Sequence, residues 1–345
     1  MPSPILSICI ATFRRADFIA ASLDSIVGQL DDRVELVVLD GASPDATESI
    51  VFVYASRHPQ LRYRREPCNS GVDADYDKAV ELATGRYCWL MTDDDIVLPG
   101  AVARILEALA KAPELLVLNA EVRTVNLDRV LQPRLLQVAA DRHYGGAESE
   151  QMFVDLASHL KFIGAVVISR ERWLARDRAT YYGSLFVHVG VIFQAPALTS
   201  VRVLAEPVLV IRYGNAMWTA RGFEIWMFLW PRLVWSFEAY SRRARARVTS
   251  AQPWRKPAKL GVHRALGGYS PAVYEKHISS MGAGPAKSLA WLIARLPPAW
   301  ANSIACLACL VMPVKSRLNL YDLARSPNAT AASRWVARTL GVWTP

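Results

Sequence analysis

The first hundred residues alternate between short, mostly apolar runs and longer stretches with helical spacing. Residues 5–11 (ILSICIA) and 33–39 (RVELVVL) have the length and near-continuous hydrophobicity of strands buried on both faces. Between them Ile19, Leu23, Ile26, Val27 and Leu30 recur on one helical face, which predicts a helix over 17–30. The same reading predicts a helix over 47–57, a short alternating strand over 61–65, a turn at Asn69-Ser70-Gly71 and a helix over 75–83 closed by Gly85. A buried strand over 87–91 follows. Strands separated by helical spans of about ten to fifteen residues make βαβ units and a parallel sheet.

Beyond a further strand at 115–119 the pattern loosens. A loop over 141–146, a helix over 148–160 and a strand over 163–169 lead into a polar, aromatic segment, 173–184. Phe186-Val187-His188-Val189-Gly190 then opens a helix, and an extended run over 201–211, broken by Pro207, ends in Arg212-Tyr213-Gly214-Asn215. After that the composition changes. Residues 222–240 are rich in Trp, Phe and Met, and Arg242, Arg243, Arg245 and Arg247 follow at once. Residues 285–314 are almost wholly apolar, interrupted by Lys287, Arg295 and Pro297-Pro298.

The chemistry concentrates where the strand at 87–91 empties into Thr92, Asp93, Asp94 and Asp95, before Pro99-Gly100 opens a helix. Three adjacent carboxylates repel one another, and hard oxygen ligands at a strand end suit Mg²⁺ or Mn²⁺. Ligands of open α/β sheets bind at the carboxyl ends of the strands. The alternative is a solvated acidic turn, or a helix N-cap made by Asp95. Asp73, Asp75 and Asp77 are spaced like part of a calcium loop but lack its Gly and terminal Glu. The absence of Gly-x-Gly-x-x-Gly after the first strand argues against a nicotinamide-dependent enzyme.

In order and spacing these motifs resemble the family 2 glycosyltransferases. The family begins with a strand and a Pro-Thr-Tyr-Asn-Arg-like turn, here Ala11-Thr12-Phe13-Arg14-Arg15. Its second strand ends in Asp-Gly-x-Ser-x-Asp-x-Thr, matched by Asp40-Gly41-Ala42-Ser43-Pro44-Asp45-Ala46-Thr47, and Ala83-Thr84-Gly85-Arg86-Tyr87 matches the approach to the acidic strand end. Residues around Phe162, Phe186–Gly190 and Arg212 are similar to the abequosyltransferase-like branch, which builds O-antigen and related bacterial surface polysaccharides. The resemblance implies an α/β GT-A fold, a Rossmann-like and mostly parallel sheet flanked by helices. It implies a catalytic domain over 1–215, with a nucleotide-sugar half (1–120) and an acceptor half (121–215). A helical, membrane-associating appendage over 216–345 completes the expected organisation.

What the resemblance implies residue by residue is as follows. Asp40 receives the nucleobase, with Thr12 and Arg15 lining the same pocket; an Asx turn is the alternative for Asp40. The family's first metal Asp falls on Thr92, so Asp94, helped by Asp93, is expected to hold the Mn²⁺ or Mg²⁺ that bridges the donor diphosphate. Asp77 and Lys78 are expected near the donor sugar, and Arg212 over the diphosphate, with Trp218 beyond it. The family's Glu-Asp pair is missing and His188 stands near its place, so His188 is the expected general base, with Asp95 also assigned to catalysis. The departures at Thr92 and at the missing pair leave room for a catalytically silent sugar-nucleotide-binding scaffold.

Charge then sharpens the partner. The chain of 345 residues carries a net charge of +9, with its Lys and Arg excess beyond residue 211. Nucleic acid would account for arginines but not for an apolar stretch of that length, whereas a bilayer accounts for both. Trp226, Trp230 and Trp235 with Arg242, Arg243 and Arg245 are therefore expected at a membrane surface. The uncharged run after Pro297-Pro298 makes a helix of about 24 Å, short of a hydrocarbon core of about 30 Å, so an in-plane or re-entrant helix is expected rather than a span. The five scattered cysteines fit a reducing cytosol, and the amino terminus lacks the features of a signal peptide. Together these imply an inverting transferase on the cytoplasmic face of the inner membrane, peripheral or monotopic. Its acceptor would be a glycan on a polyprenyl diphosphate lipid, and no nucleic acid is expected to bind.

Overall fold

A computed structural model describes residues 3–217, 221–311 and 316–343 of the chain. They fall into two compact units: Met1–Val122, Pro133–Arg212 and Phe237–Ala244 make the first, and Arg123–Gln132, Tyr213–Ser236 and Arg245–Pro345 the second.

The first unit opens with β1 (Leu6–Thr12), α1 (Ile19–Val27), β2 (Val34–Asp40), α2 (Thr47–Arg57), β3 (Leu61–Arg65), α3 (Val72–Leu82) and β4 (Tyr87–Met91). β1 lies between β2 and β4, and β3 joins the outer side of β2, all four parallel. Every residue of β2 and β4 is buried, which is why β4 reads as an unbroken apolar run and β2 as one interrupted only by Glu35 before its closing Asp40. The edge strand β3 buries only Leu61 and alternates accordingly. Leu6, Ile8, Ile10, Leu36, Val38 and Trp89 share one core with Ile19, Leu23 and Ile26 of α1. Each such side chain contributes about 1.5–3 kcal/mol by leaving water.

One carboxylate fixes the start of β4. Glu35 on β2 accepts hydrogen bonds from the Ser7 hydroxyl (2.6 Å), the Thr84 N–H (2.5 Å) and the Gly85 N–H (3.3 Å). Burial pushes its pKa up, but these donors outweigh it and hold the carboxyl below its usual range. A Cβ on Gly85 would lie 2.5 Å from Ser7 Oγ and 2.9 Å from Ser7 N, so only glycine lets the two segments meet.

The chain continues through β5 (Ile96–Val97), α4 (Ala101–Leu109), β6 (Leu115–Arg123), β7 (Val130–Gln132, in the second unit), β8 (Arg142–Gly145) and α5 (Ser149–Leu156). β9 (Val166–Ser169), α6 (Arg170–Leu174), α7 (Val187–Phe193) and β10 (Ser200–Arg212) follow. Within this unit the strand order is β3-β2-β1-β4-β9-β6-β10-β5, with β8 beside β10. β9 pairs antiparallel with both β4 and β6, and β10 antiparallel with β5 and β8. The parallel order expected from the first half thus stops at β4, and the sheet is mixed. Pro207 does not break β10. It falls between the stretch paired with β8 and the stretch paired with β5, where neither pairing uses its missing N–H.

The second unit is helical. α8 (Gly222–Glu224), a π-helical stretch (Ile225–Leu229) and α9 (Trp230–Ser236) form one run, and α10 (Arg242–Val248) divides between the units. α11 (Pro257–Ala265), α12 (Pro271–His277), α13 (Pro285–Arg295), α14 (Pro298–Leu310), α15 (Ser316–Arg325) and α16 (Ala331–Thr339) complete it. Pro297-Pro298 splits the long apolar segment into α13 and α14, and both pack on α11. No described helix is long and apolar enough to cross a membrane.

The tryptophans expected at a lipid surface face the other way. Trp230 is 4 % exposed, and Trp226 packs partly buried against a core built on Phe223, Trp254 and Tyr269. Trp235 donates its indole N–H to Thr249 O (3.1 Å) and lies under the Arg245 guanidinium at 5.2 Å, while Arg245 donates to Trp235 O at 2.9 Å. Aromatic content alone does not tell inward from outward, and these three rings and Arg245 hold the unit together. Of the cluster assigned to lipid, Arg242 and Arg243 are exposed.

Candidate functional site

The parallel strands bring the three sequence motifs to one edge. Thr12 and Asp40 are register partners at the carboxyl ends of β1 and β2, and β4 ends beside β1 with Met91 opposite Ile10. The loops after β1 and β2 are then bound to each other. Asp40 Oδ1 accepts from the Ser43 N–H (2.8 Å), Ser43 Oγ from the Arg14 N–H (3.0 Å), Thr47 Oγ1 from the Arg15 N–H (3.0 Å) and Asp45 Oδ2 from the Ala16 N–H (3.2 Å). The Asp-Gly-x-Ser-x-Asp-x-Thr pattern is therefore a set of acceptors that holds Arg15 in place.

Asp93 and Asp94, 8 % and 9 % exposed, are clasped by that arginine. Arg15 Nε lies 3.2 Å from Asp93 Oδ1, and Arg15 Nη2 lies 3.3 Å from Asp94 Oδ2. Burial and the neighbouring Asp94 charge push the Asp93 carboxyl up to about 7, against the pull of Arg15. Arg212, at the end of β10, donates its Nε to Asp94 O at 2.9 Å. The Arg15 and Arg212 guanidiniums lie 5.8 Å and 5.3 Å from the Phe18 ring centroid, so two cationic groups and two carboxylates meet around one aromatic face.

Asp95 has a different task from the catalytic one expected of it. It is 2 % exposed; its Oδ2 accepts from Thr92 Oγ1 (2.5 Å) and its Oδ1 from the Arg212 N–H (2.7 Å). Burial and the Asp94 charge push its pKa well up. Asp95 ties the end of β4 to the end of β10, and the Thr92 hydroxyl serves it.

His188 is corrected outright. It lies inside α7 at 1 % exposure with Nε2 2.7 Å from Leu160 O, and burial lowers its pKa to about 4. An enclosed imidazole bonded to a backbone carbonyl has no route to an acceptor hydroxyl. Asp77 is likewise taken up structurally: Trp173 Nε1 donates to it at 2.7 Å, the Tyr182 hydroxyl donates to its other oxygen, and Arg178 Nε lies 2.7 Å away. Lys78 Nζ is bound to Glu66 at 2.7 Å and to Ser70 Oγ at 3.0 Å. The engagement of Asp77 has a clear cause: the acidic face of α3 holds the segment from Trp173 to Val187. Asp73 completes that grip by accepting from the Leu185 and Val187 N–H groups at 2.8 Å and 2.9 Å.

Asp40 sits at 0 % exposure and also accepts from the Tyr63 hydroxyl at 2.9 Å. Its bond to the Ser43 N–H makes the Asx-type loop contact, and the Arg65 Nε lies 3.9 Å from its other oxygen. Asp75, not assigned a firm place from sequence, lies against the same loop: a Cβ on Gly41 would come 2.7 Å from its Oδ2, while its Oδ1 accepts from Ser70 Oγ at 2.5 Å. The helical spacing from Asp73 to Asp77 was the available signal for this face of α3. Trp218 lies outside the described residues.

Among the described residues no cluster of three or more His, Cys, Asp or Glu side chains forms a metal cage. Asp94 and Asp93 nevertheless suit a hard divalent cation: they are adjacent oxygen donors, and burial together with the Asp94 charge raises the Asp93 pKa. The buried Thr12 hydroxyl lies beside them, and its interaction with Asp93 works against the upward push on that carboxyl.

Comparison with known proteins agrees with this geometry. Residues 7–175 match the glycosyl transferase family 2 pattern. The chain is 24% identical over 234 residues to abequosyltransferase RfbV of Salmonella typhimurium, covering 63% of this chain and 69% of that protein. It is 22% identical to the putative glycosyltransferase EpsH of Bacillus subtilis over 42% of each chain, so it spans less than half of that relative. Among solved structures, residues 1–349 of S. aureus TarS in complex with UDP-GlcNAc superpose with a TM-score of 0.52 at 15% identity, over 97% of this chain and 91% of that one. That likeness establishes the GT-A fold.

Proposed function

We propose that this glycosyltransferase, whose residues 7–175 are a family 2 domain on a GT-A fold, moves a sugar from a nucleotide donor to a hydroxyl of a lipid-linked glycan in surface-polysaccharide assembly of the O-antigen type. The observation that carries the proposal is the meeting of Arg15 and Arg212 with Asp93 and Asp94 at the carboxyl ends of the parallel strands. A diphosphate needs fixed cations, and a bridging metal needs hard anionic ligands; this edge offers both side by side. Asp94, with Asp93, would hold Mn²⁺ or Mg²⁺, which supplies charge neutralisation to the departing nucleoside diphosphate. Asp40 and Thr12 line the place of the nucleobase and ribose. In the transfer the acceptor hydroxyl oxygen bonds to the anomeric carbon, with inversion, as that carbon's bond to the diphosphate oxygen breaks; the nucleoside diphosphate leaves as an anion and the hydroxyl proton passes to water. The likeness to an abequosyltransferase supports the O-antigen-type acceptor, and such an acceptor would be met on the cytoplasmic face of the inner membrane.

A silent nucleotide-sugar binder is the second reading, favoured by one observation: Thr92 stands where the family has its first metal carboxylate, and its hydroxyl is engaged by Asp95. Donor hydrolysis separates the two. UDP-, GDP-, CDP- and dTDP-sugars are screened by thermal shift with and without Mn²⁺, and the stabilising donor is then assayed for hydrolysis. A metal-dependent shift with turnover that Asp94→Ala removes supports the transferase. A shift without turnover supports the binder, and no shift with any donor sinks both.

A further inference from the structure

We propose that the outer face of α13 and α14 is the surface by which this chain lies on an anionic bilayer, a proposal that rests on the lipid-linked acceptor above. On α14 the buried side is Ala301, Asn302, Cys306 and Cys309. The opposite side is apolar too: Trp300 is 71% exposed, Ile304 64%, Leu307 63% and, one residue past the helix, Val311 87%. Their spacing of four, three and four residues puts them on one face. Leu292 and Leu296, at 54% and 40%, add α13 to the same kind of surface. A helix of a water-soluble domain turns polar residues to solvent; this one has none of its charges there, because it has no charges at all.

The helix cannot roll to hide that face. Asn302 is fully buried, and its Nδ2 donates to Leu323 O and to Ser326 Oγ, each at 3.1 Å. Turning the apolar side inward would bury unsatisfied polar groups in the process.

Charge decides what covers the face. From residue 276 to residue 321 the sequence contains no Asp or Glu, while Lys276, Lys287, Arg295, Lys315 and Arg317 all fall in that span. Arg295 stacks over the Trp291 ring at 3.8 Å, an aromatic–cation pair of the kind that sits at headgroup level. A second copy of the chain would bring the same basic, acid-free segment against this one, whereas anionic headgroups complement it. At 13 residues α14 is about 20 Å long, so it lies in the plane of the interface and does not cross the core.

The test is co-sedimentation of the full chain with vesicles of phosphatidylcholine alone or with about one-third phosphatidylglycerol. The wild type is expected to bind the anionic vesicles more strongly, and Ile304→Glu with Leu307→Glu to lower partitioning by about tenfold or more. Trp300→Ser should give a smaller loss. All three positions are exposed and outside the donor site, so melting temperature and donor hydrolysis should not move. Failure of the wild type to bind anionic vesicles, or unchanged binding by the double variant, overturns the proposal. A wild-type dimer that the double variant converts to monomer overturns it in favour of a second copy. Donor hydrolysis is read in solution, so loss of the transferase reading would show there and not in the vesicles.

Discussion

At the end of β4 three carboxylates stand at 2–9 % exposure, while on α14 Trp300, Ile304 and Leu307 stand at 63–71 %. Charge inside and hydrocarbon outside each cost free energy that a folded chain ordinarily avoids. In the first case the chain supplies part of the compensation itself, through Arg15 and the Arg212 N–H. In the second it supplies none. The two violations underlie the two proposals: buried anions with fixed guanidiniums suit a cation and a phosphate, and an acid-free apolar face suits lipid. The tryptophans upstream, Trp226, Trp230 and Trp235, make no such violation, being buried or half-buried within the fold.

The comparison breaks most sharply at Asp94. Asp94→Ala should lower sugar transfer by about 10³-fold or more and remove the Mn²⁺-dependent thermal shift, because it takes away the principal cation ligand. Turnover above a tenth of wild type would mean that the carboxylates are only structural. Arg212→Ala should cost about 10²-fold in transfer, measured at saturating donor, with the Asp95 bond to the backbone N–H preserved. At the other end, the Ile304→Glu and Leu307→Glu variant should lose about tenfold in transfer to a vesicle-borne acceptor while keeping donor hydrolysis; equal losses in both assays would tie α14 to the chemistry.

Two smaller effects concern scaffolding. Gly85→Ala should destabilise the chain by about 1–3 kcal/mol in denaturant melts, because the new methyl meets the Ser7 backbone. A neutral result would mean that β1 and the turn before β4 can part freely. His188 gives a pH signature. The unfolded chain takes up its imidazole proton near the ordinary value of 6.5, but the fold keeps His188 neutral down to about 4. Its contribution is therefore complete above 6.5 and is lost as pH falls from 6.5 towards 4. The melting temperature should drop across that window, less steeply in His188→Gln, while kcat at neutral pH changes by less than about threefold. A hundredfold fall in kcat with an unchanged melt would restore His188 as the base.

Much of the donor side was legible because parallel strands write themselves as unbroken apolar runs, and because Asp40, Ser43, Asp45 and Thr47 each make a local bond. The second half was not. Insertion of β9 between β4 and β6 leaves no mark in the periodicity of either strand. The apolar neighbours of His188 did hint at burial, but its partner, Leu160 O, is 28 residues away and no local pattern names it. Asp77 carries the spacing of a helix face without saying whether that face meets ligand or protein. The segment after Pro297-Pro298 was expected as an in-plane or re-entrant helix, and the 300–304–307–311 spacing marks which of its faces is exposed.

The clasp of Arg15 on Asp93 and Asp94 sets an order of assembly. With no donor present, a guanidinium is the resident counter-ion of the site, so a divalent cation offered alone competes with a covalently tethered rival. A donor diphosphate changes the balance, since Arg15 can leave the carboxylates for phosphate oxygens without losing an anionic partner. Cation and nucleotide should therefore bind synergistically: in calorimetric titrations Mn²⁺ alone is weak, each ligand tightens the other by the same factor, and Arg15→Ala uncouples them.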